Sequence, residues 1–256
     1  MIALQINSGQ QIKAIERLRK EIEKSRHFLK HIRSASGKIL SLMMLERDLV
    51  FLSQLINEPD IDLEQIQEVI PTFLTDEEKK WEDIFIRNFQ ENCNYLKSIL
   101  KNSKQSKKTT NSYNIFVNNQ YNFFNYLIEM STSDAQTFKI KSEKLPNFEP
   151  SKWQKLIDPV QDLILIDDFA IQFNLSYIAK QFYIDGNINL LKLNILVKLN
   201  HIKSEQITQY ITTHSDSLNN PFTLKPVQYD QKESILLFDA PFSNKYENLQ
   251  KVKVKL

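Results

Sequence analysis

Glycine is nearly absent from this 256-residue chain, which contains only Gly9, Gly37 and Gly186. Phosphate-binding loops, nucleophile elbows and dinucleotide-binding folds need glycine where the backbone turns sharply or approaches a ligand closely. Long stretches of the chain instead carry apolar residues at helical spacing. The sequence therefore predicts a mainly α-helical protein, an irregular multi-helix bundle, and argues against those glycine-dependent classes of enzyme.

Capping residues mark the starts of several helices. Asp62 precedes Gln65 by three positions and Thr75 precedes Glu78 by three, which is the spacing of a capping box. Ser8 and Asp158 indicate the starts of two further helices. Prolines and the Asp185-Gly186 pair indicate helix ends. These signals predict helices over 9–33, 37–57, 63–72, 76–101, 113–130, 159–184, 188–200 and 204–213.

Two of these helices differ in the breadth of their apolar surface. Residues 39–56 are apolar on nearly every side, as in a helix at the centre of a bundle, so we expect this segment to be the core helix. Residues 12–32 alternate charged positions with a narrower apolar stripe, so we expect that helix on the outside.

The chain changes character near residue 214, which suggests two parts. Residues 1–214 are predicted to form a helical domain, in which the lysine-rich stretch of about 102–112 is a flexible loop. Residues 215–256 form a C-terminal segment with two short extended runs separated by a polar turn. We predict a small β-hairpin there that docks Phe222, Tyr229 and Phe238 onto the helices near residues 188–211, because an isolated hairpin is marginal in water.

Charge and composition nominate no binding partner. Thirty-three basic and thirty-one acidic residues give a net charge of +2, which is too balanced for a nucleic-acid footprint. Aromatic residues between 113 and 126 follow the lysine-rich stretch, but their helical spacing favours core packing over a stacking platform for single strands. No stretch is long and apolar enough for a transmembrane helix. We expect no nucleic-acid partner, no transmembrane segment and no cofactor.

One short motif near the C-terminus resembles a known group of proteins. Asn220-Pro221-Phe222-Thr223, then Pro226 and Tyr229, is similar to the Asp/Asn-Pro-Phe-(Ser/Thr)-x-x-Pro-x-x-Tyr segment of uncharacterised, mostly helical bacterial envelope proteins. The resemblance implies a location outside the cytoplasmic membrane, behind one N-terminal anchor. The chain as it begins at Met1 lacks that anchor, so either the anchor lies upstream or the protein is cytoplasmic.

Three possible metal ligands lie on the first predicted helix. Glu23, His27 and His31 are spaced four residues apart, so their side chains share one face. Lysine and arginine residues surround them and would oppose a divalent cation, and no second ligand cluster is evident. We therefore interpret them as surface residues and predict no metal site, with metal binding as the alternative.

Two carboxylates fall on helix faces that we expect to be packed. Glu46 shares a helical phase with Met43 and Val50, and Asp167 shares one with Ile171. A desolvated carboxylate can act as a general acid or base, so both are catalytic candidates, although an ion pair with arginine is the structural alternative.

Function is constrained mainly by what the sequence lacks. Without a catalytic signature, the sequence favours a non-enzymatic interaction or scaffold protein that binds another protein or a second copy of itself and is envelope-associated. The alternative is an enzyme or small-ligand binder with a polar cavity inside the bundle, built around Glu46 and Asp167.

Overall fold

The computed structural model describes residues 10–59, 61–101, 108–144, 168–214, 219–240 and 251–256. The described fold is mainly α with a small antiparallel sheet near the C-terminus, as the sequence predicts. The helices are α1 (Gln11–His31), α2 (Ala35–Leu55), α3 (Leu63–Val69), α4 (Asp76–Lys79), α5 (Glu82–Lys101), α6 (Lys108–Thr132), α7 (Ala135–Ser142), α8 (Asp168–Leu199) and α9 (Ile207–Thr213), the last preceded by a 3₁₀ turn at Ser204–Gln206. The strands are β1 (Gln228–Asp230), β2 (Ile235–Asp239) and β3 (Lys251–Lys255).

The chain divides into two compact units. The first contains Met1–Lys79 and Ala179–Leu256, and the second contains Lys80–Ile178. The sheet therefore belongs to the same unit as α1 and α2. The sequence-based division between residues 214 and 215 stays a prediction.

In the first unit, α1 and α2 pack against each other. Ser34 is the N-cap of α2, and its side chain accepts a hydrogen bond from the Gly37 N–H at 3.2 Å. This bond satisfies an amide that has no acceptor within the helix. Each helix buries one apolar stripe, which agrees with the outer position predicted for α1. The buried residues are Ala14, Ile15, Leu18, Ile22 and Leu29 on α1 and Leu42, Leu45, Leu49, Leu52 and Leu55 on α2.

The core helix of the first unit is not the one that the sequence predicts. On α2, Leu40, Met43 and Val50 are about half exposed. The more completely buried helix is α8, in which every residue over 178–186 and again over 188–191 is buried. The apolar residues of 39–56 thus mark a helix with one packed face and one solvent-facing apolar face, which composition alone does not distinguish from a central helix.

Gly186 lies inside α8 rather than at a helix end, so the predicted stop between 184 and 188 is wrong. A Cβ at this position would clash with Cζ of the Phe238 ring, which shows how closely the aromatic ring approaches the helix. The preceding residue, Asp185, is held by a hydrogen bond, in which its carboxylate accepts the Leu74 N–H. Gly186 therefore serves a close helix-to-sheet contact, Asp185 contacts the segment before α4, and the pair does not terminate the helix.

The capping signals at Asp62 and Thr75 are confirmed. Asp62 accepts the Gln65 N–H at 3.0 Å. The Thr75 hydroxyl accepts the Glu78 N–H at 3.3 Å while the Glu78 carboxylate accepts the Thr75 N–H at 2.7 Å, which closes a reciprocal capping box. The helix that this box begins is only α4, and a separate helix, α5, follows it at Glu82. The other two predicted starts, Ser8 and Asp158, lie outside the described residues.

The C-terminal hairpin is confirmed, and a third strand joins it. β1 pairs antiparallel with β2, and β2 pairs antiparallel with β3, so the strand order is β1-β2-β3. Phe222 and Phe238 are buried, so the predicted docking of these two rings is confirmed. The Phe222 ring lies 5.5 Å from Tyr183, so its docking position on α8 is earlier in the chain than the predicted region of 188–211. The Tyr229 hydroxyl lies 2.8 Å from the Ser204 hydroxyl. Alternation in the Lys251–Lys255 strand is the sequence signal that would have found β3.

The second unit contains an aromatic core between α5 and α6. Trp81 stacks on Phe85 with ring centroids 5.6 Å apart, and Phe85 lies 6.2 Å from Phe124. Phe116 and Phe123 are also buried, so these rings of α6 are core residues, as their spacing predicts.

Two features of the second unit differ from the sequence prediction. Of the loop expected over 102–112, residues 108–112 belong to α6, and 102–107 lie outside the described residues. The stretch after residue 132 contains α7, which begins where Asp134 accepts the Thr137 N–H at 2.8 Å and which buries Phe138. This side-chain cap is the local signal for α7.

Candidate functional site

The first catalytic candidate, Glu46, is engaged in an ion pair. Its Oε2 lies 2.8 Å from the Lys180 ammonium, and the Lys180 side chain is the more buried of the two. The partner is therefore a lysine of α8 and not one of the arginines considered from the sequence. Asp167 lies outside the described residues, so its proximity to Glu46 stays a prediction.

The possible metal ligands on α1 are occupied by local contacts. Glu23 pairs with Arg19 one turn earlier at 3.2 Å. The His31 Nδ1 lies 2.8 Å from the His27 carbonyl oxygen, and the two imidazole centroids are 4.3 Å apart. Across the described ranges, no group of three or more His, Cys, Asp or Glu side chains is placed to hold a metal ion.

An extensive polar cluster of the first unit surrounds Arg26 and Glu78. Arg26 Nε and Nη2 donate to the two Glu78 carboxylate oxygens at 2.6 and 2.7 Å, which is a bidentate pair. Arg26 also donates to the carbonyl oxygens of Thr72 and Phe73. Burial by itself raises the Glu78 pKa, but the hydrogen bonds from Arg26 and Thr75 outweigh it and hold the pKa below its usual value. This cluster fixes the segment between α3 and α4.

A second ion pair holds the same segment against α8. Asp185 accepts the Leu74 N–H at 2.8 Å and pairs with the Lys79 ammonium at 2.6 Å. Burial raises the pKa of Asp185 even though Lys79 opposes the shift. Each oxygen of the carboxylate thus has a partner, and the arrangement is that of a structural anchor.

Two further ionisable groups are deeply buried within the first unit. Burial lowers the pKa of Lys38 to about 8, against the opposing charge of Glu78. Burial raises the pKa of Asp48, although Arg47 pairs with it at 2.9 Å. Shifted pKa values occur both at active sites and in structural ion-pair networks. Neither Lys38 nor Asp48 lines the described cavity, so we interpret both as structural residues buried between packed helices.

An exposed apolar seam runs along α2, defined here as Leu40, Met43, Arg47 and Val50. The spacings of three, four and three residues place all four side chains on one face of the helix. The exposed fractions are 57% for Leu40, 47% for Met43 and 51% for Val50. Sequence analysis assigned Met43 and Val50 to a packed face, which is wrong for the described structure. The α2 seam is therefore an apolar helix face open to solvent.

A cavity of about 420 Å³ opens between the segment after α3 and the second half of α8. Its apolar lining includes Ile70, Ile195 and Leu196, and its mouth carries Phe73 and Lys192. The Lys192 ammonium lies over the Phe73 ring, 4.4 Å from its centroid. Sequence reasoning missed this site because Phe73 and Lys192 are far apart in the chain and no local motif joins them.

Comparisons with protein-family models, with curated proteins and with solved structures found no match. Within the described part of the chain, none of the helices combines the length and the apolar character needed to cross a membrane.

Proposed function

We propose that this protein is a non-enzymatic interaction or scaffold module and that the α2 seam binds an amphipathic helix of another protein. The observation that supports it is the exposure of Leu40, Met43 and Val50 at heptad-like spacing. Exposed apolar side chains that are contiguous and rimmed by polar ones mark interaction surfaces. Over ten residues the seam extends about 15 Å, which is about three helical turns.

The chemistry of the seam favours a helical occupant. Side chains at i, i+3, i+7 and i+10 form the holes into which a partner helix inserts its own apolar residues. Met43 is unbranched and adapts to differently shaped neighbours. Arg47, the one charged member, already pairs with Asp48, so a docking helix does not meet an uncompensated charge. Envelope association is part of the proposal and is supported by the C-terminal sequence resemblance.

A photo-crosslinking experiment tests the seam. A photoreactive amino acid at position 43, introduced into the protein in its native cells, should give a discrete crosslinked product. The same substitution at position 12 is the matched control, because Ile12 is an exposed apolar residue of α1 outside the seam. Val50→Glu should abolish the product from position 43, since a carboxylate in an apolar helix interface is strongly disfavoured.

The outcomes separate the possible occupants. A product of mixed composition identifies a protein partner, and a product of two copies of this chain identifies self-association, which light scattering on the purified protein then checks. If position 43 yields no more product than position 12, and the purified protein is monomeric, the α2 seam is not an interaction surface.

The enzymatic alternative stays a prediction. Glu46 is paired with Lys180, and Asp167 lies outside the described residues. Observation of the two carboxylates in one solvent-reachable pocket would support it.

A further inference from the structure

We propose that the cavity between the segment after α3 and α8 binds a small aliphatic carboxylate, with its anionic group at Lys192 and its chain along Ile70, Ile195 and Leu196. The cavity volume of about 420 Å³ lies in the range of small-molecule sites. This site is separate from the α2 seam, because none of the seam residues lines the cavity.

The position of Lys192 determines the charge of the ligand. Its ammonium lies over the Phe73 ring at 4.4 Å from the centroid, an arrangement that holds a cation without neutralising it. Among the described residues, no carboxylate forms a salt bridge with Lys192, whereas Lys79, Lys180 and Lys30 each have one. The cavity mouth therefore presents a fixed positive charge to which a ligand carboxylate is complementary.

The walls determine the rest of the ligand. Ile70, Ile195 and Leu196 are aliphatic, and Ile195 is almost completely buried. Two amide side chains, Gln67 and Asn189, also line the cavity, so the wall is aliphatic with a polar part. One aromatic ring lies at the mouth, and the Lys192 ammonium already lies over its face. An alkyl chain gains burial against these walls.

The mouth of the cavity is preorganised. The Phe73 carbonyl oxygen accepts from Arg26 Nη2 at 3.2 Å, and the next residue, Leu74, donates its N–H to Asp185 at 2.8 Å. These two hydrogen bonds fix the backbone that carries the Phe73 ring. A ligand therefore meets a formed site and does not bear the cost of ordering it.

Titration calorimetry with decanoate tests the proposal. Decanoate should bind the purified protein, and Lys192→Met, which keeps the stem and removes the charge, should weaken binding about tenfold or more. Lys203→Met is the matched control, because Lys203 is an exposed lysine of the same unit and does not line the cavity. Decanol, which lacks the charge, should bind more weakly than decanoate and should not distinguish the wild-type protein from Lys192→Met.

Location is tested separately from charge. Leu196→Trp fills the cavity and should abolish decanoate binding, whereas Met43→Glu in the α2 seam should leave it unchanged. The absence of decanoate binding up to millimolar concentration would overturn the proposal, as would equal affinity of the wild-type protein and Lys192→Met, or of decanoate and decanol. The melting temperature of Leu196→Trp is compared with the wild-type value to detect any loss of packing. The comparisons of wild-type protein with Lys192→Met and of decanoate with decanol test the proposal independently of that variant. None of these outcomes bears on crosslinking at position 43.

Discussion

At Lys38 the chain places an ammonium group in the packed interior of the first unit, with 1% of the residue exposed. Burial disfavours the charged form and lowers its pKa to about 8, although the negative charge of Glu78 opposes the shift. No local sequence pattern indicates this burial, because a lysine one residue after a glycine near a helix start is ordinarily solvent-facing. The fold therefore carries a cost at neutral pH that depends on the protonation of one residue.

The pH dependence of Lys38 gives the prediction at this scale. The pKa is 10.5 in the unfolded chain and about 8 in the folded one, so the associated stability is present above pH 10.5 and is lost as the pH falls through 8. The difference corresponds to about 3 kcal/mol over the whole range. The free energy of unfolding of the wild-type protein, relative to Lys38→Met, should therefore rise between pH 7 and pH 10, as measured by urea denaturation.

Lys20→Met is the control for that series, because Lys20 is exposed on α1 and should show no such trend. A stability difference between the wild-type protein and Lys38→Met that stays flat from pH 7 to pH 10 would show that the Lys38 pKa is not lowered by folding.

Among the elements, α4 is the shortest helix described, yet it lies at the centre of the polar network of the first unit. Its capping box is a local feature that the sequence specifies through Thr75 and Glu78. The same Glu78 carboxylate forms an ion pair with Arg26, which lies 52 residues earlier in the chain. Local capping and a distant ion pair therefore share one carboxylate, so loss of either partner affects the same helix.

Removal of Arg26 tests this arrangement. Arg26→Met leaves a buried carboxylate without its bidentate partner and should lower the free energy of unfolding by roughly 3 to 5 kcal/mol. Arg19→Met is the matched control, because the Arg19–Glu23 pair is exposed on both sides and is worth about 0.5 kcal/mol or less. Chemical denaturation of both variants gives the comparison.

A second variant separates the ion pair from a general packing effect. Arg26→Met combined with Glu78→Gln removes the buried charge as well, so part of the lost stability should return. Equal stability of Arg26→Met and Arg19→Met would mean that the Glu78 cluster contributes no more than a surface pair.

At the scale of the whole molecule, strand β3 connects the sheet of the first unit to its helices. Val252 and Val254 are buried, and the Lys255 carbonyl oxygen accepts hydrogen bonds from Asn57 at 3.0 Å and from Asn194 at 2.8 Å. Six residues at the end of the chain thus connect to α8 and to the end of α2. Val252 and Val254 are therefore part of the core of the first unit.

Deletion of residues 251–256 should therefore destabilise the protein. Two buried valines lose their burial and the buried amide of Asn194 loses its acceptor, which together amount to roughly 3 to 6 kcal/mol. The melting temperature, followed by circular dichroism, should fall by several degrees or more. Lys253→Ala keeps the strand and changes one exposed side chain, so it should melt close to the wild-type temperature. An unchanged melting temperature of the deletion variant would mean that β3 is a dispensable tail.

What the sequence determined was local. The caps at Asp62 and Thr75, the helical class and the β-hairpin itself follow from patterns within a few residues, where backbone hydrogen bonding and side-chain periodicity act directly. The sequence failed at Gly186, where local turn chemistry suggested a stop but the close approach of Phe238 gives the glycine a packing role.

The partners of charged residues were decided only by the tertiary structure. Glu46 meets Lys180, Arg26 meets Glu78, and Lys192 lies over Phe73, although each pair is distant in the chain. Such pairs depend on how helices pack, and many residues satisfy the same local pattern without meeting. The α2 seam and the cavity arise for the same reason: packing decides which apolar faces are covered and which stay open.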